Sequence, residues 1–78
     1  MKDLIEYIAK AIVRAPDDVK VTEEADDDDA SIVVVKLEVA ADDKGRVIGR
    51  QGRVAEAMRT LLRVVATKEG IRVRLEIV

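Results

Sequence analysis

The sequence lacks the residue types on which most catalytic and metal sites depend. Its 78 residues include no cysteine and no histidine, and Ser31 is the only serine. No disulfide can staple the fold, the common zinc ligands are missing, and no nucleophile can be paired with a histidine base. These absences predict a protein that is not an enzyme and that holds no metal and no cofactor.

Aromatic residues and long apolar runs are also scarce. Tyr7 is the only aromatic residue, and we expect it in or near the core, which leaves no platform on which bases could stack. No apolar run approaches the roughly 20 residues that span a bilayer, and the N-terminus lacks the pattern of a secretory signal. We therefore expect a cytoplasmic protein without a membrane partner.

The apolar residues that are present suffice for a small core. Hydrophobic residues make up 49% of the composition, and almost all of them are valine, isoleucine, leucine and alanine. A chain of this length buries only about 60% of the surface that its unfolded form exposes. Residues 1–78 are accordingly expected to form a single domain with a narrow margin of stability.

Charge is sorted along the chain, although the net charge is only -2. Residues 1–43 carry five positive and thirteen negative side chains, including the run Asp26–Asp29, whereas residues 44–63 carry six positive and one negative. Because the field around a protein depends on where its charges sit, the basic segment can attract phosphate on a molecule that is acidic overall.

Hydrophobic periodicity predicts six elements. Apolar residues recur every three or four positions in three segments and at every second position in three others. These patterns predict helices over residues 3–14, 42–49 and 53–67, and strands over residues 18–24, 31–39 and 71–77. The order α-β-β-α-α-β indicates an α+β domain, with a three-stranded sheet and the helices packed on one face.

Several side chains receive specific places in this scheme. We expect Val47 and Ile48 to turn inward from the short second helix, with Asp42 or Asp43 as its N-cap. Leu61 is expected among the core residues of the last helix, because it falls on the apolar stripe of that helix.

The most informative stretch is the connection between the last two helices, Gly49-Arg50-Gln51-Gly52. Two glycines separated by two polar residues allow a tight exposed turn, against which a sugar-phosphate backbone can lie. The turn leads into a helix N-terminus, where unpaired N–H groups and the helix dipole favour an anion. Arg50 and Arg53 add positive charge. A purely structural connection between helices is the alternative interpretation of the two glycines.

The sequence matches the known nucleotide-binding and calcium-binding motifs poorly. The Gly-x-x-x-Gly-x-x-Gly spacing that ends at Gly52 is neither a Rossmann motif nor a P-loop, and no strand leads directly into it, which argues against a nucleotide cofactor. Asp26–Asp29 lack the spacing, the glycine and the terminal glutamate of an EF-hand calcium loop. Arg59 and Arg63, four residues apart, are interpreted as a solvated helix face with an arginine–glutamate pair.

The loop and the element order together resemble a KH domain of the type II, prokaryotic form. The run Gly45–Arg53, the helix entry Leu4–Ala11 and the segment Arg59–Arg63 are similar to the KhpA family of small bacterial KH proteins. In KH domains a Gly-x-x-G loop clamps the backbone of about four nucleotides. The resemblance implies an RNA-binding site made of Lys44, Gly45, Arg46, Ile48, Gly49, Arg50, Gln51, Gly52 and Arg53.

The resemblance also implies a groove for the bases. Gly45, Val47 and Ile48 would shape its floor, and the edge of the strand over residues 31–39 would contact base edges. Replacing Gly49 and Gly52 together by aspartate is then expected to keep the fold and abolish RNA binding, because two carboxylates would meet the phosphates.

Two functions follow from these patterns. The leading hypothesis is a single-stranded RNA-binding protein that acts as an RNA chaperone or post-transcriptional regulator. The alternative is a protein-interaction module, acting mainly as a homodimer or as a heterodimer with a KhpB-like KH protein, for which Ile32 and Val34 on the second face of the long strand would provide apolar surface. No small-molecule substrate is expected. The RNA sequence preference, and whether Asp26–Asp29 weaken RNA binding, stay open.

Overall fold

A computed structural model describes all residues from 1 to 78, and it confirms the expected element order. The helices and strands follow one another in the predicted order, with boundaries that differ from the expected ones by a few residues. The elements are α1 (Lys2–Ile12), β1 (Lys20–Ala25), β2 (Ile32–Glu38), α2 (Lys44–Ile48), α3 (Arg53–Glu69) and β3 (Arg72–Ile77). No helix combines the length and the apolar character that a bilayer span requires.

The three strands form one mixed sheet in the order β1-β2-β3. β1 and β2 make an antiparallel hairpin, in which Val21 lies opposite Leu37. β3 pairs with β2 in parallel, so that Val35 lies beside Leu75. Parallel neighbours need a crossover connection, and the helices α2 and α3 supply it. The central strand β2 is therefore paired along both edges.

The core lies between one face of the sheet and the helices, as expected. Ile5 of α1, Leu37 of β2, and Met58 and Leu62 of α3 are almost completely buried and belong to one cluster of 11 residues. Two apolar expectations are wrong, however. Leu61 is 45% exposed and Tyr7 is 77% exposed, because both lie on helix faces that point away from the sheet.

The opposite face of the sheet is covered by paired charges. Lys36 Nζ forms an ion pair with Glu24 Oε1 at 2.6 Å, and Arg74 Nη2 lies 2.7 Å from Asp26 Oδ1. Val34 lies beneath these side chains and is only 2% exposed. The expectation that Val34 offers apolar surface is therefore wrong, since long charged side chains cover the small valine. Ile32, the other residue named for this face, is half-buried.

Asp43 is the one buried charged residue, with an exposed fraction of 2%. Its carboxylate accepts hydrogen bonds from the backbone N–H groups of Arg14 at 3.1 Å and Ala15 at 3.0 Å, and Arg46 Nε lies 3.5 Å away. It makes no side-chain cap on α2, nor does Asp42, contrary to the expectation. The carboxylate instead joins the segment after α1 to the start of α2.

Candidate nucleic-acid interface

The loop between α2 and α3 has a backbone that ordinary residues rarely adopt. Gly49 ends α2 with φ 78° and ψ 171°, and its N–H donates to Gly45 O at 2.9 Å. Gln51 follows with φ 58°, and Gly52 begins α3 with φ 74°. Three positive φ angles within four residues turn the chain sharply, so that Arg50 and Gln51 stand exposed at the tip.

The three glycines of this region play different roles. A Cβ on Gly49 would collide with the Val54 side chain and would lie 2.8 Å from the Val54 backbone N. A Cβ on Gly52 or Gly45 would meet nothing within 4 Å, and only Gly52 has a positive φ. Glycine is thus required at Gly49 both by its backbone angles and by the close approach of α3. Aspartate at Gly49 would therefore strain the fold, a cost that the sequence did not reveal.

Three of the cations predicted for the site have no carboxylate partner. Arg50 at the tip, and Lys44 and Arg53 beside it, form no salt bridge, and all three are exposed. Arg53 Nη2 donates to Gln51 Oε1 at 3.3 Å, which holds it against the loop. Arg46 differs from them, because it is paired with Asp43. The loop thus keeps positive charge that the protein itself does not neutralise.

The two apolar residues before the loop, Val47 and Ile48, differ in burial. Val47 is completely buried in the core cluster, so it cannot line a groove. Ile48 is 40% exposed, so the expectation that it turns inward is wrong, whereas its predicted place in the binding site stays a prediction. Gly45 is also exposed, and it lies on α2 three residues before Ile48.

The acidic run Asp26–Asp29 lies at the far end of the molecule from the loop. β3 begins three residues after α3 ends, and its first residue, Arg72, lies 3.8 Å from the Asp29 carboxylate. The hairpin tip therefore sits beside the C-terminal end of α3. The 17 residues of α3, at about 1.5 Å each, separate this end from Gly52 by roughly 25 Å.

Two of the four carboxylates of the hairpin tip, Asp26 and Asp29, also form hydrogen bonds within the tip. Asp26 accepts the backbone N–H groups of Asp28 and Asp29 and pairs with Arg74. Asp29 accepts the Ser31 hydroxyl at 2.6 Å, and this hydrogen bond lowers the pKa of Asp29 below its usual value. No group of three or more acidic side chains is arranged to hold a metal ion.

A groove lies between α3 and β3. It contains a cavity of about 150 Å³ with walls from both elements. The expected strand edge was that of β2, which is wrong because β2 is central; the open edge belongs to β3. The residues around this cavity are Arg59, Leu62, Arg63, Val73, Arg74 and Leu75.

The open edge of β3 presents backbone hydrogen-bonding groups to this groove. Val78 donates its N–H to Leu37 O at 3.0 Å, so the even-numbered residues here face β2. Alternate residues of a strand turn their backbone groups to opposite sides. The N–H and C=O groups of Val73 and Leu75 therefore point away from the sheet, towards the groove. No signal in the sequence marked β3 as the edge strand.

Arg59 and Arg63 border the groove, which the sequence did not predict. Arg59 Nη1 lies 3.3 Å from Glu56 Oε1, so the predicted arginine–glutamate pair is present. Arg63 forms no salt bridge and is exposed. At about 100° per residue, Arg59, Arg63 and Glu56 share one flank of α3. Glu56 is thus compensated by Arg59 rather than left as a lone negative charge.

The chain is similar to a known protein family and to named proteins along almost its entire length. The family model described as "KhpA/KhpB, KH domain" matches residues 2–77. The protein named "RNA-binding protein KhpA" from Halalkalibacterium halodurans is 49% identical over 78 residues, which cover 100% of this chain and 99% of that protein. The protein of the same name from Clostridium acetobutylicum is 45% identical over 78 residues and is matched over its full length.

A solved structure shares the fold at lower identity. It is that of Era in complex with MgGDPNP and nucleotides 1506–1542 of 16S ribosomal RNA, with a TM-score of 0.57 and 22% identity. The likeness covers 97% of this chain but only 28% of that longer one. The two relatives of high identity match along the whole chain, and the family model matches residues 2–77. The chain therefore belongs to the KhpA/KhpB family of KH domains.

Proposed function

We propose that this protein binds single-stranded RNA by clamping the phosphate backbone on the loop Gly49–Gly52, and that it acts in the cytoplasm as an RNA chaperone or post-transcriptional regulator. Its relatives carry the name of an RNA-binding protein, and the family is one of binding domains rather than enzymes. KH domains contact phosphate with a Gly-x-x-G loop, and in this chain a loop of that pattern forms an exposed turn at the start of α3.

The observation that carries this proposal is the unneutralised charge at the loop. Six of the fourteen lysines and arginines form salt bridges, but Lys44, Arg50 and Arg53 do not. Phosphate contacts by such cations release counterions from the nucleic acid, which favours binding. The acidic tip at the other end of α3 is too distant to oppose the phosphates strongly, and its Asp26 and Asp29 are paired with arginines.

The groove beside the loop supports single strands rather than duplexes. A strand clamped at Gly49–Gly52 can lay its bases along the open edge of β3, where Val73 and Leu75 offer backbone donors and acceptors. Base edges are accessible in this way only when they are unpaired. No aromatic side chain lines the groove, so stacking cannot add affinity and one domain should bind weakly.

The test reverses one charge at the loop and, for comparison, one elsewhere. Arg50→Glu is expected to lower the affinity for a short single-stranded RNA by about tenfold or more, because a carboxylate replaces a phosphate contact. Lys2→Glu makes the same change in net charge on another exposed, unpaired cation in α1. Lys2→Glu should therefore change the affinity by less than about threefold.

Fluorescence anisotropy at fixed salt measures both affinities, and circular dichroism verifies that both variants are folded. Equal losses for Arg50→Glu and Lys2→Glu would mean that only net charge matters, and the loop would not be the clamp. An NMR titration should in addition move the amide signals of residues 44–54 before others.

A second function is supported by a different surface of α3. Leu61 and Val64 are 45% and 50% exposed, and with Ala57 they form a stripe on the flank of the helix that faces away from Arg63. This stripe favours self-association, or pairing with a KhpB-like KH protein, in place of the β2 face considered from the sequence. It lies on a different flank from the groove, so the two functions are compatible, and joining two weak RNA sites would raise the affinity.

A further inference from the structure

The loop Gly49–Gly52 is held on its two sides by helices of very different strength. α3 has 17 residues, and four of them are buried. α2 has only 5 residues, and Val47 is its one buried residue. A helix of that length is not stable by itself in water. The position of α2, and with it the position of the loop, must therefore depend on further contacts.

The buried carboxylate of Asp43 supplies such a contact at the start of α2. Its Oδ1 accepts the backbone N–H of Arg14 at 3.1 Å, and its Oδ2 accepts that of Ala15 at 3.0 Å. Both donors lie just after the end of α1, whose residues Ile5 and Ala9 are completely buried. Hydrogen bonds to an ionised acceptor are about twice as strong as those between neutral groups. Asp43 thus ties α2 to a helix that is itself anchored in the core.

The same carboxylate also contacts the part of α2 that leads into the loop. Arg46 Nε lies 3.5 Å from Asp43 Oδ1, and Arg46 belongs to the last turn of α2. In that turn the N–H of Gly49 donates to Gly45 O at 2.9 Å, which connects the first loop residue to the helix. One carboxylate therefore holds α2 both at its start and in its last turn.

The loop tolerates little displacement of α2. A Cβ on Gly49 would lie only 2.8 Å from the Val54 backbone N, so the end of α2 and the first turn of α3 are already in close contact. A tilt of α2 would therefore move Gly49 and Arg50 relative to the N-terminus of α3. A loop that is held in its binding geometry binds more tightly than one that the ligand must order, because ordering costs free energy.

We propose that Asp43 is a positioning residue for the RNA clamp, which holds α2 so that the loop Gly49–Gly52 keeps its binding geometry before RNA arrives. The inference rests on the proposed RNA-binding function and adds to it a residue outside the loop. Asp43 is only 2% exposed, so it contacts no phosphate itself and acts through α2. Its negative charge is compensated by two N–H donors and by Arg46.

The test replaces this carboxylate by the amide of the same shape. In Asp43→Asn one of the two acceptor oxygens becomes an N–H donor. That donor would face a backbone N–H, so one hydrogen bond is lost and two donors are left unsatisfied. Val21→Ala is the matched control, because it opens a cavity in the core beside β1, which packs mainly against β2 and α1. It lowers the stability of the domain without altering α2.

Fluorescence anisotropy gives the affinity of the unaltered chain and both variants for a single-stranded RNA of about eight nucleotides, longer than the four that a KH domain clamps. Asp43→Asn is expected to lower the affinity by about fivefold or more, in line with the cost of ordering a loop. Val21→Ala should change it by less than about twofold, because distant sites in a folded domain act independently. If circular dichroism shows that Asp43→Asn is not fully folded, sucrose favours its folded state, and all three proteins are compared in sucrose.

Amide hydrogen exchange without RNA provides a second readout, which a general loss of stability would not reproduce. The N–H groups of Gly49 and Gly52 are hydrogen-bonded to Gly45 O and Gly49 O. Asp43→Asn should speed exchange at these two amides by at least about fivefold more than at the amides of β2, because only α2 and the loop open locally. Val21→Ala should show no such selectivity for the loop.

An unchanged RNA affinity of Asp43→Asn, or a loss of affinity that Val21→Ala shares, would overturn the positioning role and leave RNA binding by the loop standing. Exchange that speeds up evenly along the chain in Asp43→Asn would overturn it as well. Failure of the unaltered chain to bind the RNA would instead overturn the proposed function, and the positioning role with it.

Discussion

Alanine substitutions at the three glycines around the loop should change stability in opposite directions. Gly45 lies within α2, with open space around it and no positive φ. Gly52 has open space but a left-handed backbone, and Gly49 has both a positive φ and a blocked Cβ position. The three variants add the same methyl group within eight residues of chain, so differences among them report on local geometry alone.

The expected magnitudes follow from these geometries. Gly45→Ala should stabilise the protein by about 0.5–1 kcal/mol, because alanine loses less conformational freedom than glycine in a helix. Gly52→Ala should cost about 1–2 kcal/mol for its left-handed backbone. Gly49→Ala should cost about 1–3 kcal/mol for its backbone angles. It should cost a further 1–3 kcal/mol or so for the collision with Val54, whose backbone N cannot move without shifting the first turn of α3.

Urea denaturation followed by circular dichroism, at one fixed protein concentration, measures these changes. A domain of 78 residues has a total stability of roughly 4–12 kcal/mol, so Gly49→Ala should remove a large part of it. In thermal melts each 1 kcal/mol corresponds to about 4–8 °C. A Gly49→Ala variant as stable as Gly45→Ala would refute the claim that α3 approaches too closely for a side chain.

Two further predictions concern Asp43 and Leu61. Hydrogen bonds from the backbone N–H of Arg14 hold the pKa of Asp43 below its usual value of 3.8, against the opposing effect of burial. The ionised carboxylate thus stabilises the fold above that value, and this contribution disappears as the pH falls through the lowered pKa. Asp43→Asn should be less stable near pH 7 and should lose less stability on acidification to about pH 3 than the unaltered chain does; an unchanged pH dependence in urea titrations would contradict this role. For the stripe on α3, Leu61→Lys should reduce the mass measured by light scattering at high concentration while leaving the fold intact, since Leu61 is 45% exposed. A mass that does not depend on concentration in the unaltered chain would exclude self-association.

The repeating patterns in the sequence predicted the elements well, because each pattern is a property of neighbouring residues. α1 ended at Ile12, two residues before the predicted end at residue 14, and Gly70 ended α3 with a left-handed φ of 71°. The apolar alternation in the last strand placed Leu75 on the core face. Such features depend on local backbone preferences and on one buried face, so no knowledge of the neighbours is needed.

Individual side chains were predicted less well where distant residues decided their environment. Val34 looked like exposed apolar surface, but Lys36 and Arg74 bring charged side chains over it. Asp43 looked like a cap for its own helix and instead binds backbone N–H groups 28 and 29 residues earlier in the chain. Periodicity fixes which face of an element a residue occupies, but it does not state what lies across from that face.

The candidate site also has one part that could be predicted from the sequence and another that depends on how the elements pack. The sequence by itself determined the loop, since two glycines two residues apart within a basic segment set both the turn and its charge. Tertiary structure alone decided the rest: that α3 holds the acidic hairpin tip some 25 Å from this loop, and that β3, rather than β2, is the edge strand beside Arg63. Strand order and the separation of charges arise from how the elements pack across the core, and no stretch of neighbouring residues encodes them.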